Sequence, residues 1–166
     1  MDIQKFALMG LKREVNQLIE PDMTNAIEIG CGNNPTQGAR GYDFPEYDFS
    51  YMSLPDADNS VTAIFAFHVL EHLTGQQAIN MLREFQRVLV PGGTATILVP
   101  YFKSQLAFQD LDHKSFFTEE TWKTLFRNPY YGKNREEPWK LDVHFNLIAG
   151  VVERNLSLFT QLVRTE

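Results

Sequence analysis

The heptapeptide at residues 67–73, FHVLEHL, contains the spacing H-x-x-E-H. The same spacing occurs on the helix of inverted zinc peptidases, where two histidines bind zinc and the glutamate serves as general base. Such a site needs His68 and His72 inside one helix and a third ligand from elsewhere. The residues could instead follow a buried strand that opens into a cofactor pocket and needs no metal. The flanking elements decide between these interpretations.

The segment before His68 has the pattern of a strand. Residues 61–67, VTAIFAF, are almost uniformly apolar and rich in branched and aromatic side chains, as in a strand covered on both faces. The next helix signal comes only at Thr74, where TGQQ fits a capping box, and apolar residues then recur at helical spacing until Pro91. With another strand over residues 94–99, this order predicts a parallel βαβ unit with a right-handed crossover. The zinc-peptidase interpretation is therefore disfavoured.

The preceding part of the chain predicts a helix and up to three strands. Residues 2–20 carry apolar side chains three and four residues apart, which predicts an N-terminal helix. Residues 26–29, AIEI, predict a buried strand that ends in a glycine turn. The residues between 33 and 42 have no helical period and predict a loop. Short strands are predicted at residues 41–44 and 46–52.

The last part of the chain predicts a helix over residues 118–126 and a closing antiparallel pair of strands over residues 141–151 and 156–163. A chain of 166 residues suffices for one domain with a real core, and is too short for two. We therefore expect a single α/β domain.

Composition narrows the classes of function. With 43% hydrophobic and 22% charged residues, the chain resembles a soluble globular protein, and no apolar run approaches the roughly 18 residues of a membrane span. The N-terminus lacks a secretory pattern and Cys31 is the only cysteine, so we expect a cytoplasmic protein without disulfides. The net charge of −6 disfavours nucleic acid as a partner, because affinity for the phosphate backbone comes mainly from clustered lysines and arginines.

A short motif follows the first predicted strand: EIGCG at residues 28–32, with Asp43 at the end of the next strand. Ligands of open α/β sheets bind beyond the carboxyl ends of the strands, where glycines let the backbone approach the ligand closely. An acidic residue such as Asp43 can accept hydrogen bonds from ribose hydroxyls, so this arrangement suits a nucleoside. The dinucleotide fingerprint G-x-G-x-x-G is incomplete because Pro35 replaces the third glycine, and we expect no nicotinamide cofactor.

In this order and spacing, EIGCGNNP, GYD, SLPDADNSVTAIFAFHVLEHL and REFQRVLVPGGTATILVP resemble the motifs of class I S-adenosylmethionine-dependent methyltransferases, nearest to the methyltransferase type 11 kind. The match covers roughly residues 25–120. The segment VPYFKSQLAFQDLDHKSFFTEETW is also similar to a subgroup of short members. The resemblance implies an α/β, Rossmann-like, doubly wound sheet, mostly parallel with an antiparallel C-terminal strand and a reduced number of helices.

The resemblance divides the single domain, residues 1–166, into an N-terminal helix (1–20), a cofactor-binding core (25–100), an acceptor-side segment (101–140) and closing strands (141–166). Two features depart from the family pattern. Ser50 stands where many relatives have an Asp that contacts the adenine amino group. The helices that usually follow the first and second strands are too short to exist here, which implies a more open cofactor edge.

The resemblance also implies that the cofactor is S-adenosylmethionine. Glu28 would hold the methionine amino group directly or through water, and Asp43 would bind the ribose hydroxyls. The residues implied in cofactor binding are Glu28, Gly30, Cys31, Gly32, Asp43, Met52, Ser53, Leu54, Phe67 and His68.

Methyl transfer from a sulfonium is an in-line displacement that mainly needs alignment of the acceptor and exclusion of water. An oxygen or nitrogen acceptor also needs a general base, for which His68, Asp110 and His113 are candidates. Lys114 and Tyr101 could orient the acceptor. For Asp110 and His113, a local hydrogen-bonded role in holding their loop is an equal alternative. Glu71 and His72 are more simply explained as groups that cap the strand.

We therefore expect a methyltransferase that acts on an oxygen or nitrogen atom of a small-molecule or saccharide-like acceptor and uses no metal. Two alternatives stay open: a protein that binds the cofactor or its demethylated product without transfer, and an enzyme that breaks the cofactor down. The sequence NPYY at residues 128–131 is similar to the N-P-P-Y of amino-group DNA methyltransferases, but it follows a later helix and predicts a turn.

Overall fold

Six strands form one sheet in the order β2-β1-β3-β4-β6-β5. The computed structural model describes residues 19–51, 53–127, 145–152 and 157–165. Its strands are β1 (Ala26–Ile29), β2 (Ala39–Tyr42), β3 (Val61–Phe67), β4 (Leu89–Pro100), β5 (Phe145–Val152) and β6 (Ser157–Arg164). Its α-helices are α1 (Gly75–Val88) and α2 (Glu119–Arg127). The predicted N-terminal helix lies outside the described residues, except for Ile19 and Glu20, which are not helical.

The central strands β1 and β3 are buried and pair in parallel with their neighbours. β1 is buried along its whole length, and β3 exposes only parts of Thr62 and Phe67. Such continuous apolar runs suit strands that are covered on both faces. β3 pairs in parallel with β1 on one side and with β4 on the other. The predicted parallel βαβ unit is therefore confirmed as β3–α1–β4.

Helix α1 begins at the predicted capping box. Thr74 Oγ1 accepts a hydrogen bond from Gln77 N at 3.4 Å, and Gln77 Oε1 accepts one from Thr74 N at 2.8 Å. The helix ends at Val88, because Leu89 already has extended backbone angles and opens β4. The prediction that β4 begins at Thr94 was therefore wrong. The Pro-Gly-Gly sequence lies inside the strand, where the pairing with β3 is irregular.

The region between β1 and β3 differs from the predicted succession of strands. β2 covers Ala39–Tyr42 rather than residues 41–44. The strand predicted over residues 46–52 was wrong, because residues 46–51 form turns and no strand. Tyr47 N donates to Asp43 O at 2.9 Å, so this backbone N–H closes a turn and does not pair with another strand. Among the described residues between 30 and 60 there is no helix, so the predicted departure from the family pattern is confirmed for these residues.

The C-terminal strands close the sheet as predicted. β6 pairs antiparallel with β4 and with β5, so the predicted antiparallel pair is confirmed over Phe145–Val152 and Ser157–Arg164. One apolar cluster joins side chains of β1, β3, α1, β4, α2 and β6, with Trp122 of α2 fully buried. None of the described helices is long and apolar enough to cross a bilayer.

Arg87, near the end of α1, holds the turn that precedes β3. Its guanidinium donates to Leu54 O and Asp56 O, both at 2.9 Å, and to Asp58 Oδ1 at 2.7 Å. It also donates to the carboxylate of Glu84. Glu84 Oε2 in turn accepts from Leu54 N at 2.9 Å. The Glu84–Arg87 pair therefore fixes the backbone on which Leu54 lies.

We expect Arg87→Met to lower the free energy of unfolding by about 1–3 kcal/mol, because it removes the guanidinium from two backbone carbonyls and leaves the Glu84 carboxylate with Leu54 N as its donor. Arg87→Lys should lower the free energy of unfolding by less, since a lysine keeps the charge and lacks only the planar fork of the guanidinium. Urea unfolding of wild type, Arg87→Met and Arg87→Lys measures the order of their stabilities. Equal stability of wild type and Arg87→Met would contradict the role of this pair.

Candidate active site

The carboxyl ends of the four parallel strands lie along one edge of the sheet. The chain order reverses between β1 and β3, because β2 lies on one side of β1 while β3 and β4 lie on the other. In open α/β sheets, ligands bind in the crevice at such a reversal. A glycine turn follows β1, Asp43 follows β2 and His68 follows β3. The fold therefore brings these three predicted groups to one edge.

The glycine turn is packed on its inner side and open on its outer side. Gly30 and Gly32 have φ of +64° and +56°, a region that favours glycine. A Cβ on Gly30 would lie 2.2 Å from Cγ2 of Val69, so the turn touches the HVLEHL segment. A Cβ on Gly32 would meet no described atom within 4 Å. This part of the backbone can be approached closely by a ligand, as a cofactor turn requires.

The two carboxylates beside the turn hold its backbone. Glu28 is only 6% exposed, and its Oε2 accepts a hydrogen bond from Thr36 N. Asp43 accepts from Gly32 N through Oδ2 and from Phe44 N, at 2.7 Å, through Oδ1. A carboxylate has about four lone-pair sites. Both groups therefore retain capacity to accept further hydrogen bonds from a ligand.

Cys31 lies within the turn and is partly buried. Burial raises the pKa of its thiol above the ordinary value, and the negative charges of Asp43 and Glu28 raise the pKa further. Because the thiolate is the nucleophile, this thiol is unreactive at neutral pH. Its Sγ lies beside Gly41 of β2, where a Cβ would be 2.5 Å away.

The residues expected beside adenine lie in the segment that Arg87 and Glu84 hold. Leu54 is buried and Ser53 is exposed, while Met52 lies outside the described residues. A cavity of about 310 Å³ lies between residues 49–53 and the outer face of α1, lined by Ser50 and Ser53 among others. Neither the glycine turn nor Asp43 lines this cavity. The cavity is therefore beside the crevice at the strand ends, and not part of it.

The HVLEHL segment does not continue as an α-helix. His68 has φ of +56° and donates its backbone N–H to Leu98 O at 2.8 Å, after which residues 70–72 form a single 3₁₀ turn. His68 and His72 therefore do not share a helical face, which the peptidase interpretation requires. Phe67, expected to face the methionine portion, is partly exposed at the end of β3.

His68 is oriented by a buried carboxylate. Its Nδ1 lies 3.1 Å from Oε1 of Glu71, whose side chain is 2% exposed, whereas the His68 side chain is 43% exposed. A carboxylate only accepts hydrogen bonds, so Nδ1 of His68 carries the proton and Nε2 carries the lone pair. The geometry gives a histidine ring fixed on one side and accessible on the other.

The acceptor-side loop docks onto this turn through backbone hydrogen bonds. Lys114 N and Ser115 N both donate to Glu71 O, at 2.7 and 3.1 Å, and Ser115 Oγ donates to Leu73 O at 2.6 Å. The docking places the His113 ring edge-on against the ring of His72, with centroids 4.8 Å apart. Glu71 and His72, which the sequence assigned to capping, therefore join the two loops. No pattern in the sequence predicts that residues 72 and 113 meet.

The remaining candidates have other partners. Asp110 is exposed, and its Oδ1 accepts from Asp112 N at 2.9 Å. Tyr101 is buried, and burial together with a hydrogen bond to Glu119 raises the pKa of its hydroxyl. Lys114 is exposed. Of the three candidate bases, only His68 pairs with a buried carboxylate among the described residues.

Comparisons with known proteins agree with this architecture. Residues 19–97 match the family model of a methyltransferase domain. A sequence comparison with curated proteins finds no match. A chain of the Haloferax volcanii complex between a methyltransferase activator and a methyltransferase is 12% identical, with TM-score 0.60 over 99% of this chain and 92% of that chain. An S-adenosylmethionine-dependent methyltransferase from Mesorhizobium loti is 10% identical, with TM-score 0.57 over 91% of this chain and 97% of that chain.

A third solved structure is the Haemonchus contortus phosphoethanolamine N-methyltransferase 1 in complex with phosphoethanolamine and S-adenosylhomocysteine. It is 12% identical, with TM-score 0.63 over 91% of this chain, which spans only 41% of that chain. Over residues 19–97 the chain therefore resembles the methyltransferase domain family, and its fold is that of the S-adenosylmethionine-dependent methyltransferases to which it is similar.

Alkylation of Cys31, the only cysteine, tests the electrostatics of the turn. Because burial and the two carboxylates raise the pKa of the thiol, the alkylation rate should reach its plateau at higher pH than for a free cysteine peptide. Asp43→Asn removes one negative charge and should move the midpoint to lower pH. Asp22→Asn, on a carboxylate before β1, is the matched control. A midpoint equal to that of the peptide would contradict this account.

Proposed function

We propose that the chain transfers the methyl group of S-adenosylmethionine to an oxygen or nitrogen atom of a small-molecule or saccharide-like acceptor. The observation that carries this proposal is the pair of His68 and Glu71 at the end of β3, next to the glycine turn. An accessible ring nitrogen held by a buried carboxylate suits proton removal from a hydroxyl or ammonium acceptor. The likeness to a phosphoethanolamine N-methyltransferase supports a small acceptor.

We assign the cofactor to the crevice between the ends of β1 and β3. Asp43 would accept hydrogen bonds from the ribose hydroxyls, and Glu28, being nearly buried, would bind the methionine amino group through water. The open face of Gly32 supports passage of the cofactor over the turn. The residues proposed to bind the cofactor are Glu28, Gly30, Cys31, Gly32, Asp43, Met52, Ser53, Leu54, Phe67 and His68.

When bound, the cofactor would supply a sulfonium methyl group, whose carbon an acceptor lone pair would attack in line while the carbon–sulfur bond breaks and S-adenosylhomocysteine leaves. His68 Nε2 would accept the proton that the acceptor loses, while Glu71 keeps the proton on Nδ1 and stabilises the resulting imidazolium. Because the His68 side chain is 43% exposed, the proton can leave to solvent after transfer. His113 and Asp110 lie on the loop that faces this side, and we retain them as secondary candidates for contact with the acceptor.

The acceptor-side loop offers an aromatic surface for the acceptor. Phe108 and Phe116 are stacked, with ring centroids 4.8 Å apart, and both are exposed. Exposed aromatic faces can stack against the apolar face of a sugar or another ring, which favours a cyclic acceptor.

We further propose that residues 1–166 act as one domain in the cytoplasm, since its single cysteine forms no internal disulfide.

Calorimetric titration with S-adenosylhomocysteine tests the crevice. Chelator-treated wild type should bind saturably, and Asp43→Ala should weaken binding by about ten- to a hundredfold, because hydrogen bonds to a charged group contribute about 1.5–3 kcal/mol. Asp22→Ala, the matched control, should bind as wild type does. Equal affinity of Asp43→Ala and wild type would place the ribose elsewhere. Absence of wild-type binding would contradict the crevice altogether.

Turnover of methyl-labelled cofactor with a panel of hydroxyl and amine acceptors tests transfer. Label should appear only on an acceptor, and His68→Asn should lower kcat by about 10²–10⁴-fold because it removes the base. Asparagine tolerates a positive φ, so the backbone is preserved. Asp112→Asn serves as the control in the neighbouring loop.

Label released without an acceptor would show cofactor breakdown instead of transfer. Tight binding without turnover on any acceptor would show a binding protein. A kcat of His68→Asn equal to that of wild type would remove His68 as the base.

A further inference from the structure

We propose that Glu71, His72 and His113 form a binding site for a divalent transition-metal ion, with Zn²⁺ as the reference ion. One ligand atom from each side chain lies within 4.8 Å of the other two. Imidazole nitrogens and a carboxylate oxygen are ligands that zinc prefers, and three protein ligands leave one position open for water or a substrate. This site does not depend on the proposed function, since it follows from the placement of three side chains alone. In the proposed function Glu71 supports His68 through its other oxygen, Oε1.

The buried carboxylate of Glu71 points independently to a cation. Glu71 is 2% exposed, and its Oε1 is bonded to His68. Its Oε2 is fully buried and has no hydrogen-bond partner among the described residues. A buried acceptor without a partner costs about 1–3 kcal/mol, and more when it is charged. A metal ion bound to Oε2 would remove this cost.

The second ligand, His113, already has the tautomer that metal binding requires. Its Nδ1 lies 3.0 Å from Ala107 O. A carbonyl oxygen can only accept, so Nδ1 carries the proton and Nε2 carries the free lone pair. Metal-binding histidines commonly donate their other ring N–H to a carbonyl or carboxylate, which fixes the ring. His68 supports Glu71 in the same way from the other side.

The distances are compatible with a site that closes on the ion. Tetrahedral zinc with bonds of about 2.1 Å places ligand atoms about 3.4 Å apart, whereas the present atoms lie within 4.8 Å. His72 and His113 are only partly buried, so small side-chain rotations can bring their nitrogens together. The backbone is already fixed, because Lys114 N and Ser115 N both bond to Glu71 O. Little ordering of the loop is therefore needed.

This ligand set differs from that of the zinc-peptidase motif. In the peptidase helix both histidines of H-x-x-E-H coordinate the metal and the glutamate is the base. Here the glutamate and the second histidine are the ligands, and the third comes from the acceptor-side loop. His68 is bonded to the glutamate and supports it without being a ligand.

Metal titration of the tag-free, chelator-treated full chain tests the site. We expect one Zn²⁺ per chain by calorimetry, and visible absorption of bound Co²⁺ with the intensity of a four- or five-coordinate ion. His72→Ala and His113→Ala should each weaken binding by more than about a hundredfold, and His68→Asn by about ten- to a hundredfold through loss of the outer hydrogen bond. Asp112→Asn, an exposed carboxylate beside His113, should leave the affinity unchanged.

Absence of stoichiometric binding to wild type would overturn the metal site, and so would equal affinity of wild type and both histidine variants. Far-UV circular dichroism and melting of each metal-free variant show that it folds. His113 lies in a loop, so His113→Ala keeps the test valid if a variant at Glu71 or His72 fails to fold. S-adenosylhomocysteine titration of the same samples separates the two proposals. Absence of metal binding together with retained binding of S-adenosylhomocysteine would overturn the metal site and leave the proposed methyltransferase function intact.

Discussion

A single buried residue, Glu71, joins the parts of the molecule on which its chemistry depends. Its carbonyl accepts two backbone N–H groups from the acceptor-side loop, while its carboxylate orients His68 at the end of β3. A buried carboxylate is costly unless each oxygen has a partner. His68 is the partner of one oxygen, and the proposed metal ion would be the partner of the other. The loop, the proposed base and the proposed metal site are therefore positioned by one residue, the loop through its backbone carbonyl and the other two through its carboxylate.

Polar side-chain contacts hold the loops between β1 and β3, where related folds usually have helices. Between β1 and β3 the described residues contain no helix, so side chains must hold the connecting loops. Asp43 accepts from Gly32 N of the glycine turn, Glu28 accepts from Thr36 N in the loop that follows it, and the Glu84–Arg87 pair binds the turn before β3. The same carboxylates that the family resemblance assigns to the cofactor thus also shape the turn. Binding and local stability are coupled at this edge of the sheet.

The sequence predicted elements whose signals are local. The apolar run of β3 and the capping box of α1 were both predicted, because burial pattern and cap chemistry are encoded within a few residues. The strand expected over residues 46–52 was wrong because its backbone groups bond in turns. The early start of β4 was missed because it depends on pairing with Val61 of β3. The meeting of His72 and His113 depends on loop docking across about forty residues, for which no local pattern exists.

The crystal structure of the complex with S-adenosylhomocysteine tests the central claim most directly. We predict the ligand in the crevice between the glycine turn and His68, with the ribose hydroxyls on Asp43 and the sulfur facing the ring of His68. A ligand bound instead in the cavity between residues 49–53 and α1, away from Asp43, would contradict the assigned cofactor site and the role of His68 as the base.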